Sequence, residues 1–304
     1  MQDKYDDLFH DIFDKAASKN PFGVVCTILR VGGMQDANWD SFEESREAID
    51  DYNWILEKTA SERNSKANIR IALLMYCQLT EISALHDMLT NLLRIIKGDA
   101  YNLYPLKHLG KSIKTKKGYK YIPPSAKVKF NSIKDLARSL GENELSKAID
   151  IMYSDKIRNA FSHSDYIITE EGLRFTESGY PEQIAINEMQ TIIKECFNFY
   201  SSFLRIHKLW LIELSKKNRF HTWPNYEVLE LLSDEDGLYG FSLHFSNGNK
   251  ATYERKKEGV KSTNIILEPD GINYMIGSID DLENNWKVNG EIVDDIDRLN
   301  KNRS

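Results

Sequence analysis

Apolar side chains recur at helical spacing from Lys66 to Lys97, through Ile69, Leu73, Tyr76, Leu79, Ile82, Leu85, Leu89, Leu92 and Ile96. So long a period of 3.6 commits the chain to amphipathic helices that must bury one face against each other. Gly98 supplies a stop for this one long helix. Residues 3–18 repeat the pattern with Leu8, Ile12 and Phe13, until Asn20-Pro21 ends it. Ser41 and Glu44 have capping-box spacing and open a helix to about Ala60, with Trp54 and Ile55 on its inner face. A further helix is expected from Glu142 to Ser162, with Leu145, Ile149, Met152 and Ala160 inward. The last runs from Pro181 to Ser215, and its stripe, which includes Ile184, Met189, Ile193, Phe199 and Trp210, is wide. A stripe that wide predicts burial on more than one side or packing against a second copy. Gly32-Gly33 marks a turn without the strand before it and helix after it that a phosphate loop needs.

The texture changes near Asn218–Pro224. Leu238–Phe245 alternates and runs into Asn247-Gly248, a hairpin signal. Thr263–Leu267 and Ile272–Ile276 flank Pro269-Asp270-Gly271, and Trp286–Val288 and Glu291–Val293 flank Asn289-Gly290. The reading is mainly α: a helical domain over 1–217, then a small antiparallel β module over 218–304, α+β overall.

At 304 residues, 41% apolar and 28% charged, the chain is neither disordered nor collagen-like, and it can bury a core without staples. Cys26, Cys77 and Cys196 are odd in number and widely spaced, which excludes a disulfide framework and a zinc knuckle. No His, Asp and Glu cluster has ligand spacing, so no metal and no cofactor is expected. His86-Asp87 could belong to a metal-dependent phosphohydrolase, but the further His and Asp of that chemistry do not appear. The N-terminus is acidic and lacks an apolar signal region. The most apolar long stretch, Phe199 to Leu214, carries Arg205, His207, Lys208 and Glu213, too polar to span a bilayer. A reduced, cytoplasmic protein without a membrane segment is expected.

Net charge is −6, so the molecule as a whole is not a generic polyanion binder. Between Asp99 and Asp135, however, stand nine lysines and no acid. Gly110, Gly118 and Pro123-Pro124 predict a loop or loose hairpin here rather than a helix. Lysine runs are commonly solvated surface. With Tyr101, Tyr104, Tyr119 and Tyr121 interleaved, the segment also fits an arm that tracks phosphates and stacks unpaired bases. Lys114, Lys116, Lys117, Lys120, Tyr119 and Tyr121 are the candidate RNA contacts.

The stretch richest in chemistry is Arg158-Asn159-Ala160-Phe161-Ser162-His163, at the C-terminal end of a helix that Ser164-Asp165 breaks. Asn159 and His163 are four apart and share a face. Arg158 and His163 are five apart, about 140° around a regular helix and ~7.5 Å along it. They converge if the last turn loosens, or if both reach a substrate lying across the helix end. The helix dipole favours positive charge there, which suits a protonated histidine acting as general acid. A guanidinium beside it suits a phosphate whose charge grows in a transition state. Glu81, on the same helix as Ile82 and Leu85, could face this stretch as a supporting acid, with a surface or interhelix role as the alternative.

These residues resemble the RNxxxH form of the Rx4–6H motif of HEPN domains, and the context is similar: a late helix in a helical bundle, with another helix after it. The resemblance covers about residues 60–217. It implies an HEPN-like helical bundle, a homodimer whose paired helices share a cleft, and metal-independent cleavage of single-stranded RNA by 2′-hydroxyl attack. Arg158 then resembles the phosphate-binding arginine, His163 the catalytic histidine, and Asn159 the polar residue that sets the motif's geometry. Some relatives paired with a nucleotidyltransferase antitoxin carry a Tyr two residues after the His. Here Asp165 stands at that position and Tyr166 follows, which argues against regulation through that tyrosine. The implied function is a toxin or antiviral-defence endoribonuclease, with a cognate antitoxin or sensor as partner. Two alternatives stay open: a non-catalytic HEPN-type RNA-binding or dimerisation adaptor, and an inhibitory, antitoxin-like protein.

Overall fold

The computed structural model describes residues 4–31, 41–59, 65–216, 228–244, 250–256, 259–268, 271–274, 285–288 and 291–295. Gly32-Gly33, Asn247-Gly248, Asn289-Gly290 and the junction at 217–227 lie outside them. The fold is mixed α+β and mainly α. It divides into two compact units, one of residues 1–8, 41–86 and 106–203, the other of 9–40, 87–105 and 204–304.

In the first unit, α3 (Ser41–Thr59) packs on α4 (Ser65–Glu81). The single helix expected over 66–97 is two, because Ile82 leaves the spiral after a tight Ile82 N–H bond to Leu79 O (3.2 Å) and α5 (Ser83–Lys97) starts anew. Ile82 itself stays buried, so the apolar period runs through the break and hides it. The lysine segment forms the expected hairpin in its middle and, against expectation, a helix at its end. Strands β1 (Lys111–Thr115) and β2 (Gly118–Ile122) form a hairpin, and α6 (Ala126–Ser139) follows. Lys127, Lys129 and Lys134 are helical because Phe130, Ile133 and Ala137 give α6 a buried face directly after Pro123-Pro124.

The helix expected over 142–162 is also two, α7 (Asn143–Met152) and α8 (Asp155–Ser162). Tyr153 and Ser154 are extended between them, and the Ser154 hydroxyl caps α8 by accepting from Ile157 N–H (3.4 Å). The Tyr76 hydroxyl locks this joint, accepting from Ser154 N–H at 2.7 Å and donating to Ser154 O at 3.2 Å.

Three strands follow, β3 (Tyr166–Ile168), β4 (Gly172–Glu177) and β5 (Tyr180–Ala185), antiparallel in that order, and the last of them occupies the start of the helix expected from Pro181. Ser178 and Gly179 both take positive φ (51° and 86°), the two-residue hairpin turn that turns the chain back before α9 (Ile186–Lys216). Ile168, Leu173, Phe175 and Ile184 fill the buried face of this sheet.

In the second unit, Asn20 caps α2 (Pro21–Ile28), a nearly all-buried helix that the sequence reading passed over. Phe13 of α1 (Asp6–Lys19) stacks on Trp210, and Phe22 meets Phe241 edge-on. A sheet in the order β13-β12-β6-β7-β8-β9 joins β6 (Val228–Asp234), β7 (Gly237–His244), β8 (Lys250–Lys256), β9 (Gly259–Thr263), β12 (Asn285–Val288) and β13 (Glu291–Asp295). It is not wholly antiparallel, since β12 lies parallel to β6. Of the hairpin expected from Thr263–Leu267 and Ile272–Ile276, the described residues form a separate pair, β10 (Ile265–Glu268) and β11 (Gly271–Tyr274).

Candidate active site

Helix α8 carries the Arg158–His163 stretch, and its end is built in detail. The His163 N–H still bonds Asn159 O at 3.0 Å, so the last turn is regular and does not loosen. Ser164 takes φ 56°, its N–H bonds Phe161 O, and Asp165 N–H bonds Ala160 O, both at 3.0 Å. This is a Schellman stop with serine in the position that glycine usually fills. Arg158 and His163 therefore stay on different sides of the spiral, and a common ligand has to lie across the helix end.

Arg158 is held in place. Its Nη2 pairs with Glu81 Oε1 at 2.5 Å, and its Nη1 donates to Asn159 Oδ1 at 2.9 Å. Glu81 is the last residue of α4, so the break at Ile82 sets where this carboxylate ends up. Asn159 and His163 are exposed, and Arg158 is half-buried. Behind them Cys77 bonds weakly to Arg158 O and to the Ser162 hydroxyl, and burial pushes its thiol up to about 11. It is a neutral packing residue at ordinary pH, as are the buried Cys26 and Cys196, whose thiols burial also pushes up.

The N-terminal half of α8 is tied down separately. Lys156 bridges Glu177 (2.9 Å) on β4 and Glu182 (3.4 Å) on β5, which fastens the three-stranded sheet to the helix. Asp155 accepts from Lys127 of α6 at 2.5 Å. Ile157 and Ala160 face inward, and Phe161 packs on Tyr166 of β3. The lysine hairpin thus leads, through Pro123 to Ser125, into a helix whose first turn touches the first turn of α8.

The hairpin separates the six candidate RNA contacts. Register places Lys114 across from Tyr119 and Ser112 across from Tyr121, all on one face, while Lys120 lies across from Ile113 on the other. Lys116 and Lys117 form the turn. Thr115 Oγ1 accepts from Lys117 N–H and donates to Gly118 O, and Gly118 takes the left-handed step at φ 117°. Tyr121 is part of the frame: its hydroxyl donates to Lys107 O at 2.9 Å and its ring lies over Gly110, where a Cβ would overlap it. Tyr119 is 77% exposed.

His86 lies in the core. It is fully buried with its ring edge-on to Phe130, and burial, with Lys129 nearby, lowers its pKa to about 3. A histidine neutral over that range and walled by Phe130 is a core residue, and the described residues contain no group of three or more His, Cys, Asp or Glu able to hold a metal ion. Leu56, Ile69, Ala72, Met189, Ile193 and Phe197 line an apolar hollow of about 470 Å³, which none of the motif residues enters.

The sequence reading missed Tyr76 and Lys156. A tyrosine inside an apolar helical stripe signals a hydroxyl that needs a partner, and Ser154 is that partner. Nothing in the spacing announces the Lys156 clasp, because it needs β4, for which the spacing gives no signal, and β5, whose residues fit the helical stripe from Pro181. No helix among the described residues is long and apolar enough to cross a membrane. No protein-family model, curated protein or solved structure matches the chain.

Proposed function

We propose that this chain is a metal-independent endoribonuclease of the HEPN type, acting on single-stranded RNA as a toxin or antiviral-defence effector. The observation that carries the reading is the end of α8. A guanidinium anchored by Glu81 and Asn159 and an exposed imidazole flank one regular, stopped helix end. An open helix end suits a polymer laid across it better than a small molecule, which calls for a concave site. Arg158 binds a phosphoryl oxygen and stabilises the charge it gains. His163 moves the proton of the 2′-hydroxyl or of the leaving 5′-oxygen, and Asn159 keeps Arg158 in position. A second copy facing this helix end would supply the other wall of a cleft, and the lysine hairpin would hold the strand.

One observation favours a second reading, the non-catalytic adaptor. The Glu81 ion pair already gives Arg158 a structural partner, so its presence does not require a substrate. The test that separates the two is product chemistry in EDTA. The ribonuclease leaves 2′,3′-cyclic phosphate and 5′-hydroxyl ends, whereas intact RNA at every protein concentration contradicts the proposal and leaves the adaptor.

A further inference from the structure

We infer that one face of the β1–β2 hairpin, formed by Lys114, Tyr119 and Tyr121, is a stacking site for an unpaired base of single-stranded RNA. The inference rests on RNA being the ligand of this protein, and it assigns the contact to one face of the hairpin.

All ten residues of the two strands are exposed. A two-stranded hairpin that buries no residue fully is marginal in water, so an occupant is what would order it further. Charge selects that occupant. Lys111, Lys114, Lys116, Lys117 and Lys120 lie within the hairpin, no acid interrupts them, and none forms an ion pair among the described residues. The complement is a polyanion.

The two faces differ in chemistry. One carries Ile113 and Ile122 with Lys111 and Lys120; the other carries both tyrosines with Lys114 and Ser112. Aromatic rings stack on bases and aliphatic side chains do not. Tyr119 and Tyr121 are two apart on one strand, about 6.7 Å along it. That is about twice the spacing of stacked bases in a nucleic-acid strand, ~3.4 Å, so one base fits between two rings. Tyr121 is the fixed wall, held by its hydroxyl bond to Lys107 O and by the close approach of Gly110. Tyr119 is the free wall. Lys114 is its direct cross-strand neighbour, with Cβ atoms about 5 Å apart, and places its ammonium beside the stacked base for the adjoining phosphate.

The measurement is titration of a fluorescent uridine-rich 12-mer RNA with full-length His163→Ala protein, which leaves the RNA uncut, at several salt concentrations. Two single variants made in that background, Lys114→Gln and Lys120→Gln, remove the same charge from opposite faces. Tyr119→Ala should weaken binding about 5- to 150-fold, and Ile113→Ser should leave it within twofold. Lys114→Gln should flatten the salt slope by about 0.7 and Lys120→Gln should leave it unchanged. A blunt duplex of the same length, with no unpaired base, should bind more weakly and ignore Tyr119→Ala. Equal losses for Lys114→Gln and Lys120→Gln, or an unchanged Tyr119→Ala, overturn the face assignment and leave RNA binding standing. Absence of binding by the parent protein overturns RNA as ligand, and the inference with it.

Discussion

Two small antiparallel sheets lie in the same unit, and they are built on opposite terms. The three-stranded sheet β3–β5 buries Ile168, Leu173, Phe175 and Ile184 on one face and clasps α8 through Lys156. The β1–β2 hairpin buries no strand residue and is joined to the rest through Tyr121 at its base. The first is scaffold, because its side chains are consumed in holding the helix that carries Arg158 and His163. The second keeps its lysines and Tyr119 facing solvent. Those side chains have no structural duty of the kind Lys156 has, which is what the proposed RNA contact requires, and the lesson is that strand content alone says nothing of role.

The sharpest way to break this contrast is stability. Phe175→Ala should destabilise the protein by about 3–5 kcal/mol, the usual loss for a buried aromatic, while Tyr119→Ala should stay within about 0.5 kcal/mol. Urea unfolding of both variants decides it, and similar losses would mean the hairpin is packed after all.

Acid probes the helix the hairpin leads into. His86 packs on Phe130 of α6 with its pKa lowered to about 3, so the folded state takes up its proton later than the unfolded state does. The stability this gives is fully present above pH ~6.5 and is lost as pH falls toward the folded value. Relative to a His86→Leu variant, the wild type should lose a few kcal/mol across that window, as read by unfolding at stepped pH. A constant gap between the two proteins would contradict the assignment of His86 as a neutral core residue.

The stop of α8 offers a smaller effect. Ser164 occupies the left-handed region at φ 56°, where an L side chain costs about 1 kcal/mol more than glycine. Ser164→Gly should therefore raise the unfolding midpoint modestly and leave His163 at the helix end. The smallest effect belongs to the hairpin lysines. Replacing Lys114, Lys116, Lys117 and Lys120 with Gln should leave stability within about 0.5 kcal/mol. The same variant should weaken RNA binding and reduce its salt dependence.

Much of the helical content was legible because the apolar period is strong, and the Arg158–His163 stretch was legible because its residue types are distinctive. Breaks were not. At Ile82 the stripe continues through the interruption, and at Tyr153-Ser154 a capping serine looks like any polar residue in a helix. Strand β5 was hidden for a different reason. Ser178-Gly179 is a hairpin turn signal, but Ile184 and Met189 fit the helical stripe that follows, and the longer pattern absorbed the shorter one. α6 was hidden by its lysines, which mask a spacing of Phe130, Ile133 and Ala137 that is plainly helical. Register, and with it the sorting of Lys114 from Lys120, required the turn at Lys116-Lys117 to be placed.

The proposed cleavage of RNA at the end of α8 is tested by incubating single-stranded RNA in EDTA with wild type, His163→Ala and Arg158→Ala side by side. General acid–base groups contribute about 10²–10⁴-fold, so a loss of that size in each variant, with unfolding midpoints close to wild type, is the expected result. Full cleavage by a folded His163→Ala protein would contradict the account.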